Sequence, residues 1–204
     1  MHGQGIFHFA DGNRYEGQFT NGAITGQGKF IWADGNVYEG HFLNGQRSGK
    51  GTLTYASGAR YSGEFLANKM HGHGTFYFTP SSADKVPSYY EGDYVNGLQH
   101  GHGLYQYANG DVYEGDFVQD RQTGQGRFTF NSRKQPGDTA AEYYEGGFYN
   151  GHWNGQGTYY FKDGTSYSGN WVDDTKRGEF IVTEPNGTKK TAIFDDSGKF
   201  LRYK

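Results

Sequence analysis

The sequence predicts an all-β protein: an elongated, twisted, single-layer antiparallel β-meander of consecutive hairpins, with about 15–17 strands. Three observations support this prediction. Glycine occupies 35 positions and helix formers are scarce, and Gly disfavours helix interiors by about 1 kcal/mol relative to Ala. Phe and Tyr supply 16 and 18 residues, and aromatic residues favour pleated, half-buried surfaces. The third observation is a repeated motif.

Two tripeptides recur in phase along the chain, and they define the repeat. The distance from each tyrosine to the next Gly-x-Gly is 11 residues in every copy, so this segment is a hairpin of fixed length. In the last copy, which starts at Gly178, Phe180 replaces the second glycine. Tyr-Glu/Ser-Gly begins at Tyr15, Tyr38, Tyr61, Tyr90, Tyr113, Tyr144 and Tyr167. Gly-x-Gly begins at Gly3, Gly26, Gly49, Gly72, Gly101, Gly124 and Gly155.

Each copy supplies two strands with period-two alternation, so Tyr, Gly and the aromatic residues share one face and polar residues share the other. Glycine on the aromatic face leaves room for rings close to the backbone. The strands are joined by turns in which Asp-Gly or Asn-Gly readily takes positive φ. These turns are Asp11-Gly12, Asp34-Gly35, Ser57-Gly58, Asn109-Gly110 and Asp163-Gly164.

The repeat array is predicted to span residues 1–184, with two longer links at 79–89 and 131–143. These links read as surface loops, which often carry function when their scaffold is fixed. Residues 185–204 depart from the pattern and are expected to form a capping hairpin or tail, with Thr191–Phe194 pairing with Lys199–Tyr203.

The repeat resembles the MORN (membrane occupation and recognition nexus) family. The segment from Tyr38 to Gly45 (YEGHFLNG), followed by Gly49-Lys50-Gly51, carries the resemblance, which extends from Gly3 to about Gly178. Ser62 and Ser168 depart from the usual Glu. The resemblance implies a single-layer sheet with an aromatic groove. It also implies a role in scaffolding, in cytoskeletal or ciliary structures, or in attachment near membranes.

The aromatic face is the first candidate site. In one interpretation the rings only replace a core, because a single layer has no second layer to pack against. In the other, part of the face stays open as a groove for a partner helix or peptide, since a large exposed apolar strip usually marks an interface. The candidate groove residues are Phe30, Trp32, Tyr38, Phe42, Tyr61, Phe65, Phe76, Phe78, Tyr90, Tyr94, Tyr113 and Phe117.

A histidine group on the polar face is a candidate metal site, because imidazole and carboxylate are zinc ligands. Its members are His71, His73, Asp93, His100 and His102. The two histidine strands are expected two strand spacings apart, roughly 9.6 Å, which is long for a shared ion. The competing interpretation is that the residue between the two glycines is simply a free surface position.

Catalysis is not predicted. Carboxylates recur on the polar face at most repeats, which indicates a solvated surface rather than the enclosed site that shifted pKa values need. The Gly-x-Gly pairs lie within strands and open no helix, so they are not a dinucleotide fingerprint. The chain has no cysteine, a net charge of −3 and no basic stretch, which argues against thiolate chemistry and nucleic-acid binding.

The sequence therefore predicts a non-enzymatic scaffold or adaptor without cofactors. It would bind protein partners, cytoskeletal or axonemal, through the aromatic groove. The expected location is the cytoplasm, at the cytoskeleton or a cilium. A peripheral membrane or phosphoinositide-binding module is the alternative, although the net negative charge disfavours anionic lipid. Homodimerisation through unpaired sheet ends is a further expectation.

Overall fold

A computed structural model describes residues 2–133 and 142–204 of the chain. It contains seventeen strands in these residues, every pair of them antiparallel, and a single short 3₁₀ helix. This confirms the all-β hairpin meander that the repeat predicts. The chain divides into two compact units: unit 1 runs to His100 and unit 2 begins at Gly101. No helix in the described residues has the length and apolarity that a membrane span requires.

Unit 1 contains β1 to β8, and each strand pairs with the next one along the chain. The strands are β1 (Gly3–His8), β2 (Arg14–Thr20), β3 (Ala23–Ile31), β4 (Val37–Leu43), β5 (Gln46–Thr54), β6 (Arg60–Leu66), β7 (Lys69–Tyr77) and β8 (Tyr89–Val95). The next strand, β9 (Leu98–Gln106), contains the unit boundary.

Unit 2 continues the same pairing from β10 onward. Its elements are β10 (Val112–Val118), β11 (Arg121–Thr129), the 3₁₀ helix (Asn131–Arg133), β12 (Tyr143–Tyr149), β13 (His152–Tyr160), β14 (Ser166–Val172), β15 (Thr175–Thr183), β16 (Lys189–Phe194) and β17 (Phe200–Tyr203). Strands β16 and β17 form a terminal hairpin, in which Ala192 lies opposite Tyr203. Much of the predicted loop 131–143 lies outside the described residues.

Two kinds of turn join the strands. Inside each repeat the hairpin turn has both central residues at positive φ, as at Asn44 (49°) and Gly45 (79°), the geometry that matches the natural twist of paired strands. Between repeats, the aromatic residue before the turn forms hydrogen bonds to the turn through its own backbone N–H and carbonyl. Trp32 N–H donates to the Asn36 carbonyl, and the Trp32 carbonyl accepts from Gly35 N–H.

In the copies before the last, the core is one tyrosine that covers a pair of facing glycines. In the third copy Tyr61 is fully buried, and Gly63 lies directly opposite Gly74 on the next strand. A Cβ placed on Gly74 would come within 2.4 Å of the Tyr61 hydroxyl oxygen and 2.6 Å of its ring. The Tyr61 hydroxyl donates to the Glu64 carbonyl at 3.0 Å, which satisfies the buried polar group. The glycine pair is therefore a steric requirement of the tyrosine.

Edge-to-face ring contacts connect each repeat to its neighbour. Tyr15 contacts Phe19 of its own copy at 5.2 Å and Phe42 of the next copy at 5.3 Å. Tyr38 then contacts Phe42 and Phe65 in the same way, each at 5.0 Å. Because each of these tyrosines lies between a ring of its own copy and a ring of the next, the hydrophobic core of one copy is completed by the next.

The final copy fills the same space from the opposite strand. Phe180 replaces the second glycine of the pair and is fully buried. Its ring lies where a Cβ on Gly169 would come within 2.7 Å of it, so it covers the glycine that a tyrosine covers in earlier copies. Tyr167 is only half-buried, while Phe180 contacts Trp171 at 5.3 Å and Phe194 at 5.4 Å. In the final copy, the ring that covers the glycine is therefore Phe180 instead of the repeat tyrosine.

Successive turns are also connected by side-chain hydrogen bonds. The Asn13 Oδ1 accepts from Ala33 N–H at 2.8 Å, and Asn36 Oδ1 accepts from Ala56 N–H at 2.9 Å. These bonds hold one turn against the turn of the following repeat, so the side chains beside the turns keep a regular spacing.

Candidate partner-binding surface

The twelve rings of the predicted groove divide into two groups. Phe30, Trp32, Phe76 and Phe78 are half-buried. The other eight are at most 3% exposed, so they form the core described above. These buried rings are Tyr38, Phe42, Tyr61, Phe65, Tyr90, Tyr94, Tyr113 and Phe117. A partner at this face therefore meets the half-buried group, and binding through the groove stays a prediction.

Four half-buried rings, which we call the ring row, stand beside the turns of unit 1: Phe9, Trp32, Tyr55 and Phe78. They recur every 23 residues. The first three are held by the turn at both the N–H and the carbonyl, at 2.9–3.1 Å. Phe9 and Tyr55 were missing from the sequence prediction, although the 23-residue interval that contains Trp32 and Phe78 points to both.

Supporting rings divide the ring row into two clusters. In the first, Phe30 lies 5.5 Å from Phe9 and 4.7 Å from Trp32. In the second, Phe76 lies 6.0 Å from Tyr55 and 5.0 Å from Phe78. Rings held by turns and by neighbouring rings have little freedom to lose, so a bound segment would meet a preorganised apolar surface.

Arg47 lies beside the first cluster, on the aromatic face. Its guanidinium carbon is 5.4 Å from the Trp32 ring, 5.7 Å from the Tyr38 ring and 5.4 Å from the Phe65 ring. Burial raises the pKa of Tyr38 to about 12 although Arg47 opposes the rise, and burial also raises the pKa of Tyr55. Both phenols are therefore neutral near pH 7, and the local charge is that of Arg47.

Unit 2 also has half-buried rings beside its turns, with a different polar neighbour. Tyr107 lies 5.6 Å from Phe128, and its hydroxyl accepts a 2.6 Å hydrogen bond from Gln122 Nε2. Near the end of the unit, Lys176 Nζ lies 5.1 Å from both the Tyr167 and Phe194 rings. The residue at the position of Arg47 thus differs from copy to copy.

The polar face of unit 1 carries an open trough with a volume of about 1120 Å³. Its side chains come from β1 to β8 and include Glu16, Lys29, Glu39, Lys50, Glu64 and His73. Several of these charges are already paired. Lys29 Nζ lies 2.5 Å from Glu39 Oε1, and His73 Nδ1 lies 3.2 Å from Asp93 Oδ1. Such exposed charges would contribute little affinity for a ligand, because each would give up its solvation and its present partner to form a new contact.

The histidine group is only partly brought together. Of its members, His73 and Asp93 are in contact, while His71 lies opposite Glu64 with its Nδ1 buried and without a partner. Across the described residues no group of three or more His, Asp or Glu side chains has the arrangement of a metal site. A metal site at the histidine group stays a prediction that the arrangement of the described side chains does not support.

Comparison with solved structures finds chains of similar fold. The TCP domain of Drosophila melanogaster SAS-4 (dCPAP), solved with a proline-rich motif of Ana2 (dSTIL), is 12% identical, with a TM-score of 0.50 over 92% of this chain and 88% of that chain. The TCP10c domain of D. melanogaster Sas-4 is 12% identical, with a TM-score of 0.46 over 92% and 97%. The Danio rerio CPAP TCP10 domain, solved with a STIL peptide, is 14% identical, with a TM-score of 0.42 over 98% of both chains.

A search of curated proteins finds no match. The family model for the MORN repeat matches seven segments, which together cover most of the sequence. They are residues 1–14, 15–37, 38–60, 61–82, 90–112, 113–133 and 144–166. Six of these segments begin at the tyrosine of a Tyr-x-Gly copy. This chain therefore belongs to the MORN repeat family.

Proposed function

We propose that the protein is a non-enzymatic adaptor that binds an extended, proline-rich segment of a partner protein along the ring row of unit 1. The observation that carries the proposal is the even placement of four half-buried rings at one repeat interval. Each interval crosses two strands, or about 9.6 Å. A polyproline II helix rises about 3.1 Å per residue, so three residues advance about 9.3 Å.

The two spacings nearly coincide, so the mismatch remains small along the whole row. Phe9 follows β1 and Phe78 follows β7, six strand spacings apart, or about 29 Å. Nine residues of polyproline II span about 28 Å. A segment crossing the strands would place every third residue at an equivalent ring. Other proline-recognition domains use aromatic-lined grooves in the same way.

The chemistry of the row suits binding better than that of the polar trough. Trp, Tyr and Arg are the residue types that dominate interface energetics. Arg47 contacts Trp32 here, and Tyr55 is the next ring of the row. The trough instead offers charges that are already paired. The SAS-4 domain of similar fold was solved with a proline-rich motif, which supports this class of ligand for the present chain.

The family resemblance supports a partner in the cytoskeleton or a cilium and a cytoplasmic location. A scaffold of this kind needs no catalytic group. The exposed carboxylates of the repeats are consistent with this, because a solvated carboxylate lacks the enclosed environment that general acid–base chemistry uses.

The proposal can be tested with a fluorescein-labelled 12-residue peptide carrying proline at every third position, titrated onto the full chain and followed by anisotropy. Replacing Trp32 and Tyr55 with Ser should weaken binding at least about tenfold, since each removes a central ring. The matched control replaces Leu43 and Leu66, each 54% exposed on the opposite face, with Ser and should bind normally. Equal binding by a folded Trp32/Tyr55 variant would refute the ring row.

The cellular partner requires a second measurement. Tagged protein and both variants are captured from native cells, with soluble and detergent-insoluble fractions compared. A cytoskeletal or axonemal protein that is lost with the Trp32/Tyr55 variant but kept with the Leu43/Leu66 variant would support the proposed location. Recovery only with membranes, unaffected by either variant, would favour lipid attachment instead.

A further inference from the structure

Arg47 is fixed between the two ring clusters rather than free to move with solvent. Its backbone N–H donates to Asn68 Oδ1 at 2.9 Å, and its Nη2 donates to the Asn68 carbonyl at 2.7 Å. The rings of Trp32, Tyr38 and Phe65 surround the guanidinium at 5.4–5.7 Å. Cation–π contacts at such distances hold the group in place.

Among the described residues Arg47 takes part in no ion pair, and none of its nitrogens is a buried donor without a partner. Its remaining N–H groups are therefore not fully enclosed. Burial lowers the pKa of Arg47, yet an arginine keeps its charge in proteins. A partly desolvated cation next to the ring row gains most from an anionic partner.

The charge is specific to one repeat of unit 1. The equivalent positions, two residues before the first glycine of each Gly-x-Gly, hold Ile24, Met70 and Gln99. The first cluster is thus followed by a positive charge, and the other copies of unit 1 present neutral side chains there. A segment lying along the row would meet one cation at one register.

We infer that Arg47 selects an acidic side chain in the bound segment, placed between the residues that contact Trp32 and Tyr55. This inference rests on the proposed function and names the ligand more closely: a proline-rich segment with one Asp or Glu. A carboxylate there accepts two parallel N–H bonds from the planar guanidinium, a geometry that lysine does not reproduce. The same contact fixes the register of a ligand whose proline repeat would otherwise slide.

The experiment compares two labelled 12-residue peptides that differ only in a central Glu or Gln. The full chain is expected to bind the Glu peptide about tenfold more tightly at low salt, with the preference shrinking as ionic strength rises. Arg47→Gln should remove the preference while preserving the fold, because Gln99 and Gln122 occupy this position in other copies. Arg47→Lys should keep only part of it, as expected for lost bidentate geometry.

A matched control is Lys176→Gln in unit 2, where another cation at the same position contacts the rings of Tyr167, Trp171 and Phe194. This variant should leave the Glu preference unchanged. Equal affinity for both peptides, or a preference that survives Arg47→Gln, overturns the role of Arg47. The ring row still stands in that case if binding depends on Trp32 and Tyr55. Failure of both peptides to bind overturns both proposals.

Discussion

Replacing Gly74 with Ala tests whether the tyrosine-over-glycine packing holds each repeat together. The backbone at Gly74 has no positive φ, so alanine is not excluded by conformation and the effect is steric. The new methyl group would lie 2.4 Å from the Tyr61 hydroxyl oxygen and 2.6 Å from two ring carbons. These atoms belong to a fully buried ring held between Phe65 and Tyr94.

The expected cost follows from what the ring must give up. Overpacking in a filled core costs about 1–3 kcal/mol. Moving the ring also weakens the bond from the Tyr61 hydroxyl to the Glu64 carbonyl, worth about 1 kcal/mol. We therefore expect Gly74→Ala to lower the free energy of unfolding by about 2–4 kcal/mol.

Urea denaturation followed by tyrosine and tryptophan fluorescence measures this cost. The control is Gly97→Ala, where nothing lies within 4 Å of the new Cβ but φ is +93°. That control should cost about 1 kcal/mol through backbone strain alone. If the free energy of unfolding of Gly74→Ala lies within about 0.5 kcal/mol of the wild-type value, the steric explanation of the glycine pair is wrong.

Three further predictions concern the repeat ends, the turns and pH. Phe180→Ala should destabilise unit 2 by about 3–5 kcal/mol in the same denaturation assay, because it empties the covering position, and a loss under about 1 kcal/mol would contradict the ring exchange. Asn36→Ala should speed amide hydrogen exchange at Ala56 and cost about 1–2 kcal/mol, and unchanged exchange would show that the turn bond is dispensable. Asp174, 2.6 Å from His152 Nδ1, raises the pKa of His152. The stabilisation from this pair should therefore be complete below about pH 6.5 and lost as pH rises through the folded pKa of His152. His152→Gln should then make the melting temperature depend less on pH between about pH 6 and 8. An unchanged pH dependence in the variant would argue against the pair.

The sequence was sufficient to predict the strands because the same residue spacing recurs in every copy of the repeat. The constant 11-residue distance from tyrosine to Gly-x-Gly corresponds to one hairpin, and alternation assigned the faces correctly, with Tyr38 buried and Glu39 exposed. The glycines were also expected to make room for rings. These features depend on local spacing, which a sequence carries directly.

The candidate site was harder to predict because accessibility depends on neighbours several strands away. Tyr38 and Trp32 look alike in an alternating pattern, yet one is enclosed by rings from two copies and the other stands at a turn. The role of Arg47 depends on a cage assembled from three strands or turns, and none of its members is adjacent in sequence. The exchange at Phe180 required knowing which strand supplies the covering ring.

The ring contacts between copies also determine how such a protein can change length. Tyr15 touches Phe19 of its own copy and Phe42 of the next, and Tyr61 touches Phe65 and Tyr94 in the same way. Duplication or loss of one whole 23-residue copy leaves each ring with equivalent neighbours, so the array can grow or shrink without redesign of its interior. The length of the aromatic face then changes in steps of about 9.6 Å, so in the proposed binding mode the number of copies would set the length of segment that can bind.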